Sequence, residues 1–224
     1  MTPSEIEVTY VDHMGSDLSV VNAARVSFGK KSELECIDMV KGVYVMSHKD
    51  TKLIQYLAKN KHLSPFGHCF ASFHIKAPIF VARQLVKHKF LRWNEISRRY
   101  VDTEPEFYYV DKWRGRSGDK KQGSSGTVDV KGLTNLGSAN WASVNTYHSL
   151  LQLGVCPEQA RMVLPQNTMT EWYWSGSLDA FSDMCLLRCA SDTQEETQYV
   201  AAKISLKMHE LFPVSWTALA KGRQ

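Results

Sequence analysis

The sequence predicts an α+β fold, with a mostly antiparallel sheet flanked by helices and a helical C-terminal half. Residues 6–11 are β-branched and aromatic, apolar residues alternate from Cys69 to Ile75, and only helical patterns follow Gly132. Strands that come early and helices that come late favour this class over a βαβ series. We expect the 224 residues to form a single domain that spans 1–224.

Three helices are predicted in the first half of the chain. Asp17 is predicted to cap one that runs to Val26, because the apolar residues between them follow helical spacing. Asp50 is predicted to cap a second helix, which ends near Asn60. Pro78 is predicted to open a third with the sequence IFVARQLVKHKF, since proline is favoured at the first position of a helix.

A polar stretch precedes the helical half. Residues 114–132 read RGRSGDKKQGSSGTVDVKG, a composition typical of a mobile surface loop, so we expect a flexible insertion there. Helices are predicted over about 135–153 and from Pro157. The last predicted helix begins at a capping box formed by Asp192 and Glu195.

Composition excludes several classes of protein. A hydrophobic fraction of 43% with 22% charged residues is typical of a globular chain and not of a disordered one. No apolar run approaches the roughly 18–20 residues of a membrane helix, and the N-terminus does not read as a secretory signal. We therefore expect a cytoplasmic protein with no membrane partner, in the host cytoplasm if the chain is viral. The net charge of +4 is too small to indicate nucleic acid as a partner.

Cysteine and histidine spacing predicts neither a disulfide framework nor a metal site. The five cysteines include no C-x-x-C pair. His62 and His68 lie six residues apart on a turn, without a neighbouring carboxylate or cysteine. The chain also lacks G-x-G-x-x-G after a strand and a G-K-[ST] loop, so a dinucleotide would have to be held in another way.

The densest group of candidate functional residues spans 84–100. Helical spacing places Gln84, Lys87 and His88 on one face, and the weaker periodicity beyond Phe90 predicts a loop. Such a loop offers backbone N–H groups, a hydroxyl and guanidinium groups to an anion, which is how proteins hold phosphate. The alternative is a solvated basic helix face. The basic residues of the segment are Lys87, Lys89, Arg92, Arg98 and Arg99.

Two further arginines are candidates for binding an anion. Arg161 follows Glu158 by three residues, so the two face the same way on a short helix. The alternative for this pair is a surface ion pair worth under about 1 kcal/mol. Arg188 lies in an apolar helix pattern, where a guanidinium is costly unless it is paired or bound to a ligand. The alternative for Arg188 is a helix-end arginine that reaches water.

One short motif resembles a known family signature. Lys87-His88-Lys89, with Ser97 after seven intervening residues, is similar to the Arg-His-Arg, seven residues and Ser of flavin-dependent thymidylate synthases. The resemblance covers nearly the whole chain except residues 29–46 and 114–132. The other matching segments are 17–19, 23–28, 62–68, 76–84, 94–95, 160–165 and 187–188. Several spaced motifs in the right order make this signal specific.

The resemblance implies reductive methylation of dUMP to dTMP by a homotetramer with active sites at subunit interfaces. It further implies FAD as cofactor, methylenetetrahydrofolate as carbon donor and NADPH as reductant, with no metal. The residues implied to bind dUMP are Gln84, Lys87, Glu95, Ile96, Ser97, Arg98, Arg99, Arg161 and Arg188. Those implied to bind FAD are Ser27, His62, Ser64, Lys87, His88, Lys89, Asn94, Glu95, Ser177 and Asp183, with His62 close to the isoalloxazine.

The chemistry of the implied reaction fits these residue types. The phosphate of dUMP requires guanidinium and backbone donors. Carbon C5 of uracil becomes nucleophilic only when negative charge on the ring is stabilised, and Arg188 in an apolar helix supplies positive charge where water is excluded. The flavin carries the hydride chemistry, so the protein binds, orients and polarises. We therefore expect Arg188 to be the catalytic residue.

Departures from the family pattern concentrate on the flavin side. Lys87 and Lys89 replace arginines, and lysine lacks the planar two-pronged contact that arginine makes. Arg92, where the family often has a small residue, would compensate. Carboxylates replace the family's usual Arg, Asn and His at Asp179, Asp183 and Asp192. We expect an ordinary nucleotide site and an altered flavin site.

Two other functions remain open from the sequence. A flavin- and folate-dependent hydroxymethylase acting on a pyrimidine nucleotide would keep the fold and change the product, which the product mass would reveal. A nucleotide- or nucleic-acid-binding protein with a degenerate active site rests on the basic segment 84–100 alone. A steep salt dependence of DNA binding would favour that reading.

Overall fold

The computed structural model describes residues 3–118, 123–130 and 136–222. The strands are β1 (Glu7–Met14), β2 (Glu35–Asp38), β3 (Val43–Val45), β4 (Phe70–Pro78), β5 (Arg92–Glu95), β6 (Arg114–Arg116), β7 (Ser124–Thr127) and β8 (Met169–Ser177). The helices are α1 (Asp17–Arg25), α2 (His48–Lys59), α3 (Ile79–Leu85), α4 (Leu136–Gln152), α5 (Pro157–Ala160), α6 (Leu178–Arg188), α7 (Glu195–Leu211) and α8 (Pro213–Gly222). Short 3-10 helices span Val26–Phe28, Ser64–His68 and Arg161–Val163.

A four-stranded antiparallel sheet, in the order β1-β4-β8-β5, organises the fold. Alternate residues of β4 and β8, among them Phe73, Ile75, Trp172 and Trp174, are buried in the same core as helical residues. On the opposite face Tyr173 is 52% exposed. Because successive side chains of a strand point to opposite faces, one face of the sheet packs on helices. The predicted α+β fold is confirmed.

Strands β4 and β8 are each followed directly by a helix, and the position of these two helices determines where the candidate site residues lie. β4 leads into α3 and β8 into α6, and since the strands are antiparallel the helices start at opposite ends of the pair. The helices, of 7 and 11 residues, together span about 27 Å. That is close to the roughly 30 Å of a nine-residue strand. The C-terminal ends of α3 and α6 therefore meet over the sheet.

Two predicted helix caps are wrong. Ser16, not Asp17, is the N-cap of α1, in a capping box with Ser19. The carboxylate of Asp17 instead accepts hydrogen bonds from the backbone N–H groups of residues 214 and 215, at 3.0 and 2.8 Å, and so caps α8. Ser47 caps α2, and Asp50 lies in its first turn, where it pairs with Arg25. In both helices the N-cap is a serine that precedes the aspartate predicted to cap the helix.

The C-terminal half is not all helical, and two strands of the central sheet, β5 and β8, were not predicted. β8 is the strand between β4 and β5 in the sheet, although its sequence lies among helices. The predicted loop beyond Phe90 contains β5, which pairs with β8, and α3 ends at Leu85 rather than near Phe90. Lys87 and His88 therefore lie on a turn and not on the helix face that carries Gln84.

The remaining helices were predicted only in part. Helix α7 begins at Glu195 with Gln194 at its N-cap, so the capping box predicted at Asp192 is wrong. Helix α8 follows after Pro213 and was not predicted. The predicted start near residue 135 lies outside the described residues, and α4 is described from Leu136. None of the described helices is long and apolar enough to cross a membrane.

The predicted insertion contains a short hairpin. Strands β6 and β7 pair antiparallel, whereas residues 119–122 and 131–135 lie outside the described part of the chain. Arg114 at the start of β6 ties the hairpin to α7, because its guanidinium donates to Glu195 at 2.8 Å and to Glu196 at 2.6 Å. The single domain over 1–224 and the flexibility of the insertion remain predictions.

Candidate active site

Arg188, the predicted catalytic residue, lies where α3 and α6 meet. Its Nη2 donates a hydrogen bond of 3.0 Å to the backbone oxygen of Gln84, and its Nε donates one of 3.0 Å to Nε2 of His88. Burial lowers the pKa of the guanidinium from its ordinary value. The structure thus brings together three residues that the sequence assigned to the site. The remaining N–H groups of the guanidinium are available to an anionic or carbonyl-bearing ligand.

His88 is neutral in this arrangement. Burial and the neighbouring charge of Arg188 lower the pKa of its imidazole to about 4. The ring of His88 also lies edge-on to Trp174, with centroids 6.3 Å apart. A neutral imidazole has one nitrogen that accepts a hydrogen bond, and here Nε2 accepts from Arg188. The imidazole therefore orients the guanidinium without adding a second positive charge.

Gln84 is held at two points. Besides the contact of its backbone oxygen with Arg188, its side-chain Nε2 donates a hydrogen bond to Oε1 of Gln194. Gln194 stands at the N-cap of α7, 110 residues further along the chain. The sequence offered no reason to include Gln194 in the site, because only the folded chain brings α7 beside α3.

Strand β5 carries the next group of site residues. Both carboxylate oxygens of Glu95 are engaged, one accepting from the Thr170 hydroxyl at 2.7 Å and the other from Nε1 of Trp93 at 3.2 Å. Trp93 stacks on Trp172 with ring centroids 4.3 Å apart. These contacts fix Glu95 at the edge of the sheet. Asn94, its exposed neighbour, pairs with Tyr173 on the other face.

A compact loop follows Glu95. The backbone N–H of Ile96 donates a 2.9 Å hydrogen bond to the backbone oxygen of Glu171, which extends the pairing of β5 with β8 by one residue. The hydroxyl of Ser97 accepts from the backbone N–H and Nε of Arg99, at 3.3 and 3.4 Å. The guanidinium of Arg98 donates to the oxygen of Thr103 at 2.9 Å. Residues 96–100 are the part of the predicted loop that follows β5, and their binding of an anion stays a prediction.

Arg161 lies at the C-terminal end of the short helix α5. Its side chain is exposed, and its Nε donates to the backbone oxygen of Glu158 at 3.2 Å. Among the described residues no hydrogen bond or ion pair joins Arg161 to Arg188 or to the loop after β5. Within one chain, therefore, hydrogen bonds join Arg188 to Gln84 and His88, and they join Arg161 to its own short helix.

The serines and histidine predicted for FAD lie on a second surface. Ser27 is exposed in the 3-10 helix Val26–Phe28, and Ser64 begins the 3-10 helix Ser64–His68, which packs against α1 and α6. The ring of His62 stacks on Tyr56 with centroids 6.1 Å apart. Ser177 ends β8 opposite Phe70, and Asp183 lies exposed on α6.

A close contact brings the two surfaces together. The turn over residues 86–91 carries exposed Lys87 and Lys89 and lies against the end of β8. A Cβ on Gly176 would come too close to the end of the Leu91 side chain, so a larger residue would require that side chain to move. The lysines are therefore close in the chain to the contact that borders Ser177. Cationic side chains and hydroxyls of this kind suit the phosphates and ribose of a flavin dinucleotide.

The acidic departures Asp179 and Asp192 lie at opposite ends of α6. One carboxylate oxygen of Asp179, in the first turn of α6, is buried without a hydrogen-bond partner among the described residues. Asp192 is exposed, and its backbone borders Gly123 of the hairpin. A carboxylate repels a phosphate, so these positions fit a flavin less well than the lysines and hydroxyls do. The described residues contain no group of three or more histidines, cysteines or carboxylates that could hold a metal ion.

Comparisons with known proteins agree with the fold and the motifs. The family model for thymidylate synthase complementing protein matches residues 9–214. A flavin-dependent thymidylate synthase from Thermus thermophilus is 38% identical over 212 residues, 94% of this chain and 74% of that protein. A flavin-dependent thymidylate synthase from Thermotoga neapolitana is 37% identical over 214 residues, which are 96% of this chain and 90% of that protein.

A solved structure is similar over almost its whole length. It is the UMP/dUMP methylase PolB from Streptomyces cacaoi bound with 5-Br dUMP, with a TM-score of 0.82 and 30% sequence identity. The match covers 98% of this chain and 97% of PolB. The resemblance that the sequence motifs predicted is confirmed by these matches. This chain belongs to the flavin-dependent thymidylate synthase family of enzymes.

Proposed function

We propose that this chain catalyses the reductive methylation of dUMP to dTMP, with FAD as cofactor, methylenetetrahydrofolate as carbon donor and NADPH as reductant. The observation that carries the proposal is the placement of Arg188 between the Gln84 carbonyl and the neutral imidazole of His88. That arrangement orients one cation and leaves N–H donors for a ligand. A relative of similar fold is named a UMP/dUMP methylase and binds 5-Br dUMP, which supports a pyrimidine nucleotide as the substrate.

Arg188 has a defined task in this reaction. Attack by C5 of uracil requires electron density on the ring, and a fixed guanidinium stabilises the negative charge that develops on the ring oxygens. The two hydrogen bonds of 3.0 Å hold the guanidinium before the nucleotide arrives, so no reorganisation is needed at the moment of reaction. We infer that Gln84 and the loop after β5 bind the same nucleotide.

FAD fits the second surface in part. Lys87 and Lys89 would contact its phosphates, and the hydroxyls of Ser27, Ser64 and Ser177 would contact phosphate or ribose oxygens. Bound FAD would supply the hydride chemistry that reductive methylation needs. The carboxylates of Asp179 and Asp183 do not suit an anion, so we propose a weakened flavin site beside an ordinary nucleotide site.

We further propose that the chain assembles as a homotetramer with active sites at the subunit interfaces. Large apolar residues beside the site residues are exposed in the single chain. They are Phe28 beside Ser27, Phe90 beside Lys89, Met162 beside Arg161 and Leu187 beside Arg188. Exposed apolar residues clustered at binding residues are typical of protein interfaces. Contact with another copy would also place Arg161, which makes no hydrogen bond to Arg188 among the described residues, beside a neighbouring site.

A tritium-release assay tests the proposal. Methylation replaces the hydrogen at C5, so dUMP tritiated at C5 should lose its label to water only when FAD, NADPH and methylenetetrahydrofolate are all present. The product should exceed dUMP in mass by one methylene group. A hydroxymethyl product would contradict methylation and favour the hydroxymethylase. Nucleotide binding without release of tritium would contradict an active enzyme and favour a degenerate site.

A further inference from the structure

The backbone around Gln194 is held on both sides of the α6–α7 junction. The hydroxyl of Thr193 donates to the backbone oxygen of Leu187 at 3.1 Å, and Leu187 is the neighbour of Arg188. The backbone oxygen of Gln194 accepts from the N–H groups of residues 197 and 198, both at 2.9 Å. These hydrogen bonds therefore fix the position of the Gln194 backbone.

The first turn of α7 has a second attachment. The guanidinium of Arg114 donates to both carboxylate oxygens of Glu196, at 2.7 and 2.6 Å, and to Glu195 at 2.8 Å. Glu196 is only 4% exposed. A charge-assisted contact between a guanidinium and a carboxylate is among the stronger hydrogen bonds in proteins, so it resists displacement. The helix start that carries Gln194 is thus anchored to the hairpin as well as to α6.

Gln84 is the flexible partner of this pair. A glutamine side chain loses considerable rotamer freedom when it is ordered, and a side chain ordered in advance binds its ligand without that cost. The amide of Gln84 has two N–H donors and one acceptor oxygen. One N–H is taken by Oε1 of Gln194, which leaves the second N–H and the oxygen for a ligand.

We propose that Gln194 is a positioning residue of the nucleotide site, whose side-chain oxygen fixes the amide of Gln84 before dUMP binds. The proposal rests on the proposed function, in which Gln84 binds dUMP. Gln194 acts through Gln84 and makes no contact of its own with the nucleotide. It follows that helix α7 contributes to the affinity for dUMP through Gln194, a residue that was not predicted to bind the nucleotide.

A double-mutant cycle tests this dependence, because it isolates the interaction between two residues. The dissociation constant of dUMP is measured by calorimetry on the full chain loaded with FAD. The proteins compared are the unchanged chain, Gln84→Met, Gln194→Met and the double variant. Methionine keeps the length of the side chain and removes its amide. Gln55→Met, an exposed change on α2, is the matched control.

We expect Gln194→Met to weaken dUMP binding about fivefold, the equivalent of one neutral hydrogen bond. Gln84→Met should weaken it at least as much, and the double variant should match Gln84→Met alone. In turnover, Gln194→Met should raise the KM for dUMP and leave kcat unchanged, because the lost interaction serves binding. A merely structural role would instead lower the melting temperature and change both constants. Gln194→Ala serves as a second variant if Gln194→Met does not fold.

Two results would overturn the inference while leaving the proposed function intact. The first is unchanged dUMP affinity in Gln194→Met. The second is additive losses in the double variant, which would mean that Gln194 acts independently of Gln84. Absence of dUMP binding by the unchanged chain would overturn the proposed function, and the inference with it. The three outcomes are distinguished within one set of titrations.

Discussion

The Nε of Arg188 donates a 3.0 Å hydrogen bond to Nε2 of His88, and this pair joins the end of helix α6 to the turn after α3. The contact requires a neutral imidazole, because a protonated ring has no acceptor nitrogen. Burial and the charge of Arg188 lower the pKa of His88 to about 4, so the imidazole is neutral at physiological pH. Arg188, the proposed catalytic residue, is therefore oriented by a histidine that must stay neutral.

His88 should make the fold sensitive to acid. Its pKa is about 4 in the folded chain and about 6.5 when unfolded, so between these values the unfolded state binds more protons. The free energy of unfolding should therefore fall as the pH is lowered from about 6.5 towards 4. In His88→Gln this decline should be shallower, as measured by urea unfolding at several pH values.

The control for this prediction is His209→Gln, an exposed change on α7. It should leave the pH dependence unchanged. Parallel curves for His88→Gln and the unchanged chain would show that His88 carries no part of the acid sensitivity.

Replacing Arg188 by lysine should impair catalysis more than folding. Lysine keeps the charge and loses both the Nε donor to His88 and the planar guanidinium. We expect kcat to fall about a hundredfold or more, as when one preorganised donor is removed from a developing negative charge. Arg116→Lys on the hairpin, which is exposed, should retain full activity. Normal turnover by Arg188→Lys would mean that the ring charge is stabilised elsewhere.

The Arg114–Glu196 contact should be a measurable source of stability. Arg114→Met would leave the buried carboxylate of Glu196 unpaired, which typically costs about 3 kcal/mol of unfolding free energy. Lys207→Met removes a 2.6 Å pair with Glu210 that is exposed, and should cost under about 1 kcal/mol. Chemical denaturation compares the two variants. Equal losses would contradict the role assigned to burial.

The lysines of the signature should limit the affinity for FAD. Arginine at positions 87 and 89 would restore the two-pronged contact with phosphate oxygens, so Lys87→Arg/Lys89→Arg should bind FAD about fivefold more tightly or better. Flavin fluorescence quenching gives this constant, and dUMP affinity is measured separately. Tight FAD binding by the unchanged chain, together with absent dUMP binding, would contradict an ordinary nucleotide site beside an altered flavin site.

Local signals in the sequence predicted much of the fold, and contacts between distant segments account for what was missed. Apolar spacing predicted a strand from Cys69 to Ile75, within the region of β4, and the apolar helix that carries Arg188. Strand β5 was missed because RWNE has no pattern of its own and is a strand through pairing with β8. For β8, the alternation of buried Trp172 and Trp174 was an available signal.

The candidate site shows the same division. Helical spacing indicated Gln84 and His88, and an arginine in an apolar helix pattern indicated Arg188; the structure joins the three where α3 and α6 meet. Gln194 and Thr170 were missed because each acts on a residue 110 or 75 positions away, which no local pattern reveals. The predicted helix face of Gln84 and His88 was wrong, since α3 ends at Leu85 and the turn, not the helix, presents the imidazole.

The most direct test of the proposed function follows the flavin spectrum of the purified chain. FAD is added and the sample is titrated anaerobically with NADPH, with and without dUMP. We predict a bound-flavin spectrum that NADPH bleaches at a rate sensitive to dUMP, because both ligands would share the site around the turn over residues 86–91. A flavin-dependent enzyme that acts on this nucleotide would be contradicted by absent flavin binding at high FAD concentration. It would also be contradicted by a bleaching rate that is the same with and without dUMP.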